Sequence, residues 1–353
     1  MRLDLGYQDM DQQYPFVVAA YQNLENEDTA FHLANTSEIV ILGASPRKYV
    51  SERIKCKKLT FHYSERLNKH GLLGRFSPTT MYYRWNKIRG LDDESQFLLC
   101  AGNYVAGDYD QIGCFSERML KWGYFPEYKS YEKEKIIHQD KPTYTILWAG
   151  RLIDWKHPEY VIDAAGDLKQ RGVSFHLNVV GDGELRGTLE KQIIRENLQD
   201  HISVLGSKSP DKVRTFMTES DIFLATSDFQ EGWGAVINEA MNSGCAVIAS
   251  HAMGAAGFLI DHGKNGLIFE SDNTVDFLKK LTCLTEDKMI CSQLGWSAYQ
   301  TIAGEWNAEA AANRFLQMCE TLIHHETKEC KTGPCSPALP ISPKQFLRTI
   351  RTI

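Results

Sequence analysis

With 353 residues, 43% of them apolar and 24% charged, and a formal net charge of −6, the chain is long enough for two folded domains and gives no bulk-charge reason to expect nucleic acid. Its nine cysteines are scattered without a CxxC pair, the pattern of buried thiols in a reducing cytoplasm rather than of a metal site or disulfide scaffold. No apolar run approaches the roughly 18–20 residues of a membrane span, so any membrane contact is expected to be peripheral.

The chain opens on the polar stretch "MRLDLGYQDMDQQYP", and nothing before residue 38 has strand character. A doubly wound domain normally begins with a strand and a Gly-rich turn, so the N-terminal domain is expected to lack its first βα unit. Strands are predicted at 38–43, 58–63, 96–102 and 121–125, and the polar stretch 126–142 reads as the linker. From Tyr144 short apolar runs alternate with helical patterns: 144–150, 175–181, 202–206, 221–227, 246–250 and 266–269 are the predicted strands. Such runs between helices mean strands covered on both faces, hence a parallel, doubly wound sheet. Ser209-Pro210 marks a helix start, and Gly172 and Gly244 mark helix ends. The expected division is an N-terminal domain with its linker over 1–141, a second domain over 142–326 and a tail over 327–353. The tail's Lys344, Arg348 and Arg351 suit a helix packing back on the first domain, the alternative being a weak anchor to anionic lipid.

The stretch "EGWGAVINEA" (231–240) follows a predicted strand and opens a helix, which is where an open parallel sheet binds ligands. Glycines there let backbone N–H groups approach an anion, and the helix N-terminus favours negative charge. Glu239 lies about 6 Å along the helix axis from its start, so Glu231 and Glu239 can grip two parts of one long ligand. Carboxylates suit sugar hydroxyls, and a nucleotide sugar offers hexose hydroxyls, a diphosphate and ribose hydroxyls. The bland alternative is a helix-start carboxylate plus a solvated surface glutamate.

"EGWGAVINEAMNSGCAVIAS" resembles the Glu-x7-Glu signature of glycosyltransferase family 4, retaining enzymes of the GT-B fold, an α/β architecture with two Rossmann-like doubly wound domains facing across a cleft. "AGRLIDWKHPEYVIDAA", "VVGDGELRGTLE", "ISVLGSKSPDKV" and "GKNGLIF" resemble further segments of that family in the same order. The resemblance implies that Arg151 and Lys156 hold the donor diphosphate, that Glu231 touches the transferred sugar and that Glu239 takes the ribose hydroxyls. It further implies that Gly232, Trp233, Gly234, Ala235 and Val236 line the sugar and phosphate, with Gly181 and Gly183 in the Gly-Asp-Gly turn. His62 matches a histidine that some members place near the sugar, the alternative being a satisfied core histidine, and Ser64, Glu65 and Arg66 beside it would meet the acceptor or the phosphates. Packing is the alternative for Trp233.

No cofactor or metal is expected: the donor, a UDP-sugar, is a substrate. The triplets Asp9-Met10-Asp11 and Asp108-Tyr109-Asp110 read as solvated turns. "SER" together with "KWGYFPE" resembles a subgroup among bacterial surface-polysaccharide enzymes. The implied activity is transfer from a nucleotide sugar to a saccharide or lipid-linked oligosaccharide, in the cytoplasm or at the inner membrane face. The rival is a non-catalytic, donor-binding remnant. An NAD-dependent oxidoreductase is disfavoured because Gly181, Gly183 and Gly187 do not fit G-x-G-x-x-G.

Overall fold

The computed structural model describes residues 14, 16–67, 91, 93–137, 142–324, 326 and 330–351. Helix α1 (Leu24–Thr36) is capped by Asn23, whose side chain accepts the Asn26 N–H. Strand β1 (Val40–Leu42), the short helix α2 (Ser51–Lys55) and β2 (Thr60–Ser64) follow. Next come β3 (Gln96–Ala101), α3 (Val105–Asp110) and β4 (Met119–Trp122). The four strands form a parallel sheet in the order β1-β2-β3-β4.

After the short helix α4 (Lys133–Ile136), the second sheet is built from β5 (Tyr144–Ala149), β6 (Phe175–Val180), β7 (Ile202–Val204), β8 (Ile222–Ala225), β9 (Ala246–Ser250) and β10 (Leu267–Phe269). Its helices are α5 (Tyr160–Gln170), α6 (Arg186–Arg195), α7 (Pro210–Glu219), α8 (Ala235–Asn242), α9 (Ala256–Leu259), α10 (Thr274–Glu286) and α11 (Lys288–Gly304). The order is β10-β9-β8-β5-β6-β7, parallel throughout, so the winding reverses between β5 and β8. The period-two pleat explains the unbroken apolar runs. Ile146, Trp148, Ile222, Leu224, Ile248 and Phe269 enter one core, while Leu147, Phe223, Val247 and Ile268 enter the other.

Helix α12 (Ala308–Ile323) belongs spatially to the first domain, not to the second as the stretch 142–326 implied. Its Phe315, Met318, Cys319 and Leu322 pack on Phe61, Leu99, Leu120 and Trp122. The apolar stripe of α12 covers a sheet face that would otherwise meet water. The tail then pairs antiparallel with β4: Lys121 N donates to Ser336 O, and Ala338 N donates to Met119 O, both at 2.8 Å. Helix α13 (Pro343–Arg351) returns to the junction, with Phe346 and Ile350 against the second domain's core.

The carboxyl ends of the two sheets face each other through backbone. A Cβ on Gly102 would stand 3.1 Å from both the Gly232 carbonyl oxygen and the Gly254 Cα, and Asn103 N donates to Gly254 O at 3.1 Å.

Arg53, 1% exposed, ties the start of the first sheet together. Its guanidinium donates to the carbonyls of Ser37 (2.5 Å), Glu38 (2.6 Å) and Leu59 (2.6 Å), and to Thr60 Oγ1 (3.1 Å). Arg53→Leu strands these acceptors without donors, and we expect it to lower unfolding free energy by about 3 kcal/mol in urea titrations. A loss below about 0.5 kcal/mol, the size of an ordinary surface change, would contradict that role.

Candidate functional site

Between β5 and β8 the two strand ends part, and the loops that follow them meet again. After β5 the chain runs through Gly150 and Arg151 across the turn that follows β6. A Cβ on Gly181 would overlap the Gly150 carbonyl, and Leu152 N donates to Asp182 O at 2.9 Å. Gly181 and Gly183 therefore seat the Arg151 loop by close backbone approach.

The β5 loop then crosses to the β8 loop. Asp228 N donates to Trp155 O at 3.0 Å, and Thr226 Oγ1 donates to Lys156 O at 2.7 Å while accepting from Trp148 Nε1 at 2.9 Å. This stitching brings the Lys156 ammonium onto the Glu231 carboxylate, with the two side chains 17% and 15% exposed. Ser227 Oγ also approaches Glu231 Oε2, at 3.4 Å. Lys156 Nζ and the Arg151 guanidinium lie 4.6 and 5.6 Å from the centre of the Trp155 ring. Arg151 is exposed and has no ion pair among the described residues. Two cations and one carboxylate thus converge at the switch point.

Glu231 leads into Gly232, Trp233 and Gly234, and α8 starts at Ala235. Gly234 has φ +91°, a conformation glycine adopts without strain. The first N–H groups of α8, at Ala235 and Val236, have no acceptor within the helix, and the Glu231 side chain lies against Gly234, the residue before them, an arrangement suited to an anion. Glu239 lies a turn further on, and its carbonyl accepts from Arg214 Nη1 at 3.3 Å. Burial pushes its carboxyl up, against the opposing pull of Arg214 and Lys129.

The structure brings together Arg151, Lys156, Glu231, Gly232, Gly234, Ala235 and Val236, with Glu239 on the same helix. It does not bring Trp233 to a ligand-facing position. That indole is 0% exposed, donates to Asn238 Oδ1 at 2.8 Å and packs among Tyr124, Phe258 and Trp306. Gly123, at the end of β4, leaves the space the indole fills, so Trp233 wedges the two domains together.

His62 is likewise elsewhere. His62 lies inside β2, and the pleat turns its ring to the sheet face opposite the one that α12 covers. There it stands 5.3 Å from Phe115 and shares a 2.9 Å hydrogen bond with Gln96. Arg66 is committed as well: its Nε and Nη2 donate to both Asp108 oxygens, at 3.2 and 3.1 Å, and the guanidinium lies over Tyr104 and Phe229. Asp108 is therefore the buried partner of Arg66 rather than a solvated turn residue; Asp9 and Asp11 lie outside the described residues. Tyr124, whose Oη donates to Glu65 Oε1 at 2.6 Å, was not anticipated at the site. The sequence pattern places it inside the predicted strand 121–125, whereas β4 ends at Trp122 and leaves Tyr124 past the strand end.

Residues 130–301 match the family model of glycosyl transferases group 1. An uncharacterized glycosyltransferase of Methanocaldococcus jannaschii is 28% identical over 238 residues, 67% of this chain and 60% of its own length. The amylovoran biosynthesis glycosyltransferase of Erwinia amylovora is 26% identical over 218 residues, 60% of this chain and 53% of its own. The chain spans little more than half the length of these curated relatives. Among solved structures, Anabaena HepE in complex with UDP superposes with a TM-score of 0.65 at 16% identity, covering 84% of this chain and 82% of that one. At that identity the likeness is one of fold: GT-B, with two Rossmann-like domains. The group 1 match covers both loops of the switch point and the whole of α8.

Burial lowers the His62 pKa below its usual 6.5. On acidification the unfolded chain takes up this proton first. The stability His62 contributes is therefore present above pH 6.5 and is lost as pH falls toward its folded-state pKa. We expect the urea stability of His62→Gln to fall less between pH 7.5 and pH 5 than that of the wild type; equal slopes would contradict a buried, neutral His62.

Proposed function

We propose that the protein is a retaining glycosyltransferase of family 4 that moves a sugar from a nucleoside-diphosphate donor, a UDP-sugar, to a hydroxyl of a saccharide or lipid-linked oligosaccharide. The observation that carries this reading is the meeting of Arg151, Lys156 and Glu231 at the switch point, beside the start of α8. Relatives lend support: HepE has been solved with UDP and glucose, and a pneumococcal O-GlcNAc transferase with UDP and GlcNAc. Amylovoran synthesis in one relative and transfer to poly(ribitol-phosphate) in another suit a role in bacterial surface polysaccharide.

In this reading Arg151 and Lys156 hold the diphosphate, and the α8 N–H groups add their dipoles. Charge builds on the leaving phosphate as the anomeric bond breaks, and these preplaced cations stabilise it most at that point. Lys156 must turn from Glu231 to the phosphate, which frees the Glu231 carboxylate to accept sugar hydroxyls. Glu239 takes the ribose hydroxyls. The acceptor oxygen bonds to the anomeric carbon on the face the diphosphate leaves, and its proton passes to the leaving phosphate oxygen. Closure of the first domain keeps out water, which otherwise competes as acceptor.

No helix among the described residues is long and apolar enough to cross a membrane. A lipid-linked acceptor would meet the site at the cytoplasmic face of the inner membrane by peripheral contact.

UDP is expected to raise the melting temperature; no shift with UDP, GDP or ADP would contradict a nucleotide site. Glu231→Gln is expected to lower transfer or donor hydrolysis about a hundredfold, the size of a lost transition-state contact, while UDP affinity changes little. Parallel losses in both would mean that the change damages the fold.

A further inference from the structure

Lys156 is followed by His157, whose backbone is left-handed, with φ 51° and ψ 57°. Histidine and asparagine are among the few side chains enriched in that conformation. On one side of the ring, Nδ1 donates to Glu159 Oε1 at 2.6 Å, since a carboxylate only accepts. On the other side, Nε2 lies 3.8 Å from Asp228 Oδ2 in the β8 loop, buried and without a hydrogen-bond partner among the described residues. The two side chains are 19% and 24% exposed.

The protonation states of this ring differ in what they offer Asp228. The neutral ring keeps its Nδ1 proton on Glu159 and turns a bare Nε2 lone pair to a carboxylate, so two acceptors face each other. The imidazolium puts an N–H there and pairs with both acids at once. Asp272, in the loop after β10, adds a third negative charge near the ring, and Tyr160 of α5 stands edge-on at 6.2 Å. The neighbouring cation, Lys156, is engaged with Glu231. The hydrogen bond to Glu159, then the charges of Glu159, Asp228 and Asp272, raise the imidazole pKa above its usual 6.5, against the opposing pull of burial.

Asp228 also shapes the turn that leads to Glu231. Its carboxylate accepts from Gln230 N at 2.7 Å and from Gln230 Nε2 at 3.3 Å, and its carbonyl accepts from Glu231 N at 3.1 Å. A charged His157 therefore ties the segment that carries Lys156 to the turn that carries Glu231. We propose that His157 is a positioning residue that straps these two loops together as an imidazolium, and that the site binds a nucleoside diphosphate best while the ring keeps its proton. The inference rests on the nucleotide-sugar reading and adds to it a pH dependence set by one residue. Loops already held together lose less freedom on binding, and the extra positive charge favours a diphosphate, so both effects have the same sign.

The test follows UDP binding by calorimetry from pH 6 to pH 9, in the full chain and in its His157→Asn variant. Asparagine suits the left-handed backbone and does not titrate, and the ratio of the two affinities cancels the ionisation of UDP itself. The wild type is expected to lose its advantage over the variant by at least about threefold as pH rises through the imidazole pKa. Asp228→Asn keeps an acceptor for Gln230 N but removes the charge facing Nε2, and is expected to move that loss to lower pH. A ratio that stays constant with pH overturns the inference, as does a loss whose midpoint Asp228→Asn leaves in place. An NMR titration of the histidine ring protons checks the same claim without reliance on a variant's folding. The wild-type His157 signal is expected to titrate above pH 6.5, and a midpoint at or below that value overturns the inference. If UDP, GDP and ADP all fail to bind the wild type at every pH, the nucleotide reading itself fails and this inference falls with it.

Discussion

Three glycines set the distance between the halves of this protein. Gly102 after β3, Gly232 after β8 and Gly254 after β9 meet backbone to backbone: a Cβ on Gly102 or Gly254 would press on the Gly232 carbonyl and on the other glycine's Cα, while one on Gly232 would displace the Glu65 carboxylate. The carboxyl ends of two parallel sheets, the ends where such sheets bind ligands, are thereby held face to face. Trp233 locks the arrangement: it lies beside Gly232, fills the space over Gly123 and bonds to Asn238, whose side-chain amide donates to the Tyr124 carbonyl at 3.2 Å. A residue that looked like part of the ligand surface is the wedge that positions it.

Within that frame, charged side chains from both domains are engaged with neighbours. Lys156 pairs with Glu231, Arg66 with Asp108, and Tyr124 donates to Glu65. Arg151 alone of the proposed donor-binding cations is exposed and without an ion pair among the described residues. In the proposed function a diphosphate at the switch point meets Arg151 directly and draws Lys156 away from Glu231. The partner it displaces, Glu231, is the group proposed to take the sugar. One exchange thus couples gripping the phosphate to freeing the carboxylate.

The second sheet was largely legible in the sequence. Its strands are buried on both faces and read as short unbroken apolar runs, and the predicted run at 246–250 coincides with β9. Glu231 was marked by local chain geometry, at a strand end and a helix start, whereas Arg151 and Lys156 were legible only through the family resemblance. What escaped depends on tertiary partners. His62 was misplaced because the alternation of side chains along β2 turns its ring to a sheet face, against Phe115 and Gln96, rather than off the strand end into the cleft. The α12 stripe looks the same whichever sheet it covers, and the pairing of the tail with β4 has no sequence signature. Helix α1 buries none of its residues fully, so its pattern offered no apolar face to read.

The central claim is that the nucleotide sugar lies across the β5 and β8 loops at the switch point. Hydrogen exchange with and without saturating UDP tests it most directly. A nucleotide held there slows amide exchange at residues 150–157 and 227–239, while the outer strand β7 and helix α1 stay unchanged. Protection confined to other segments, with 150–157 and 227–239 exchanging as in the free protein, would contradict it.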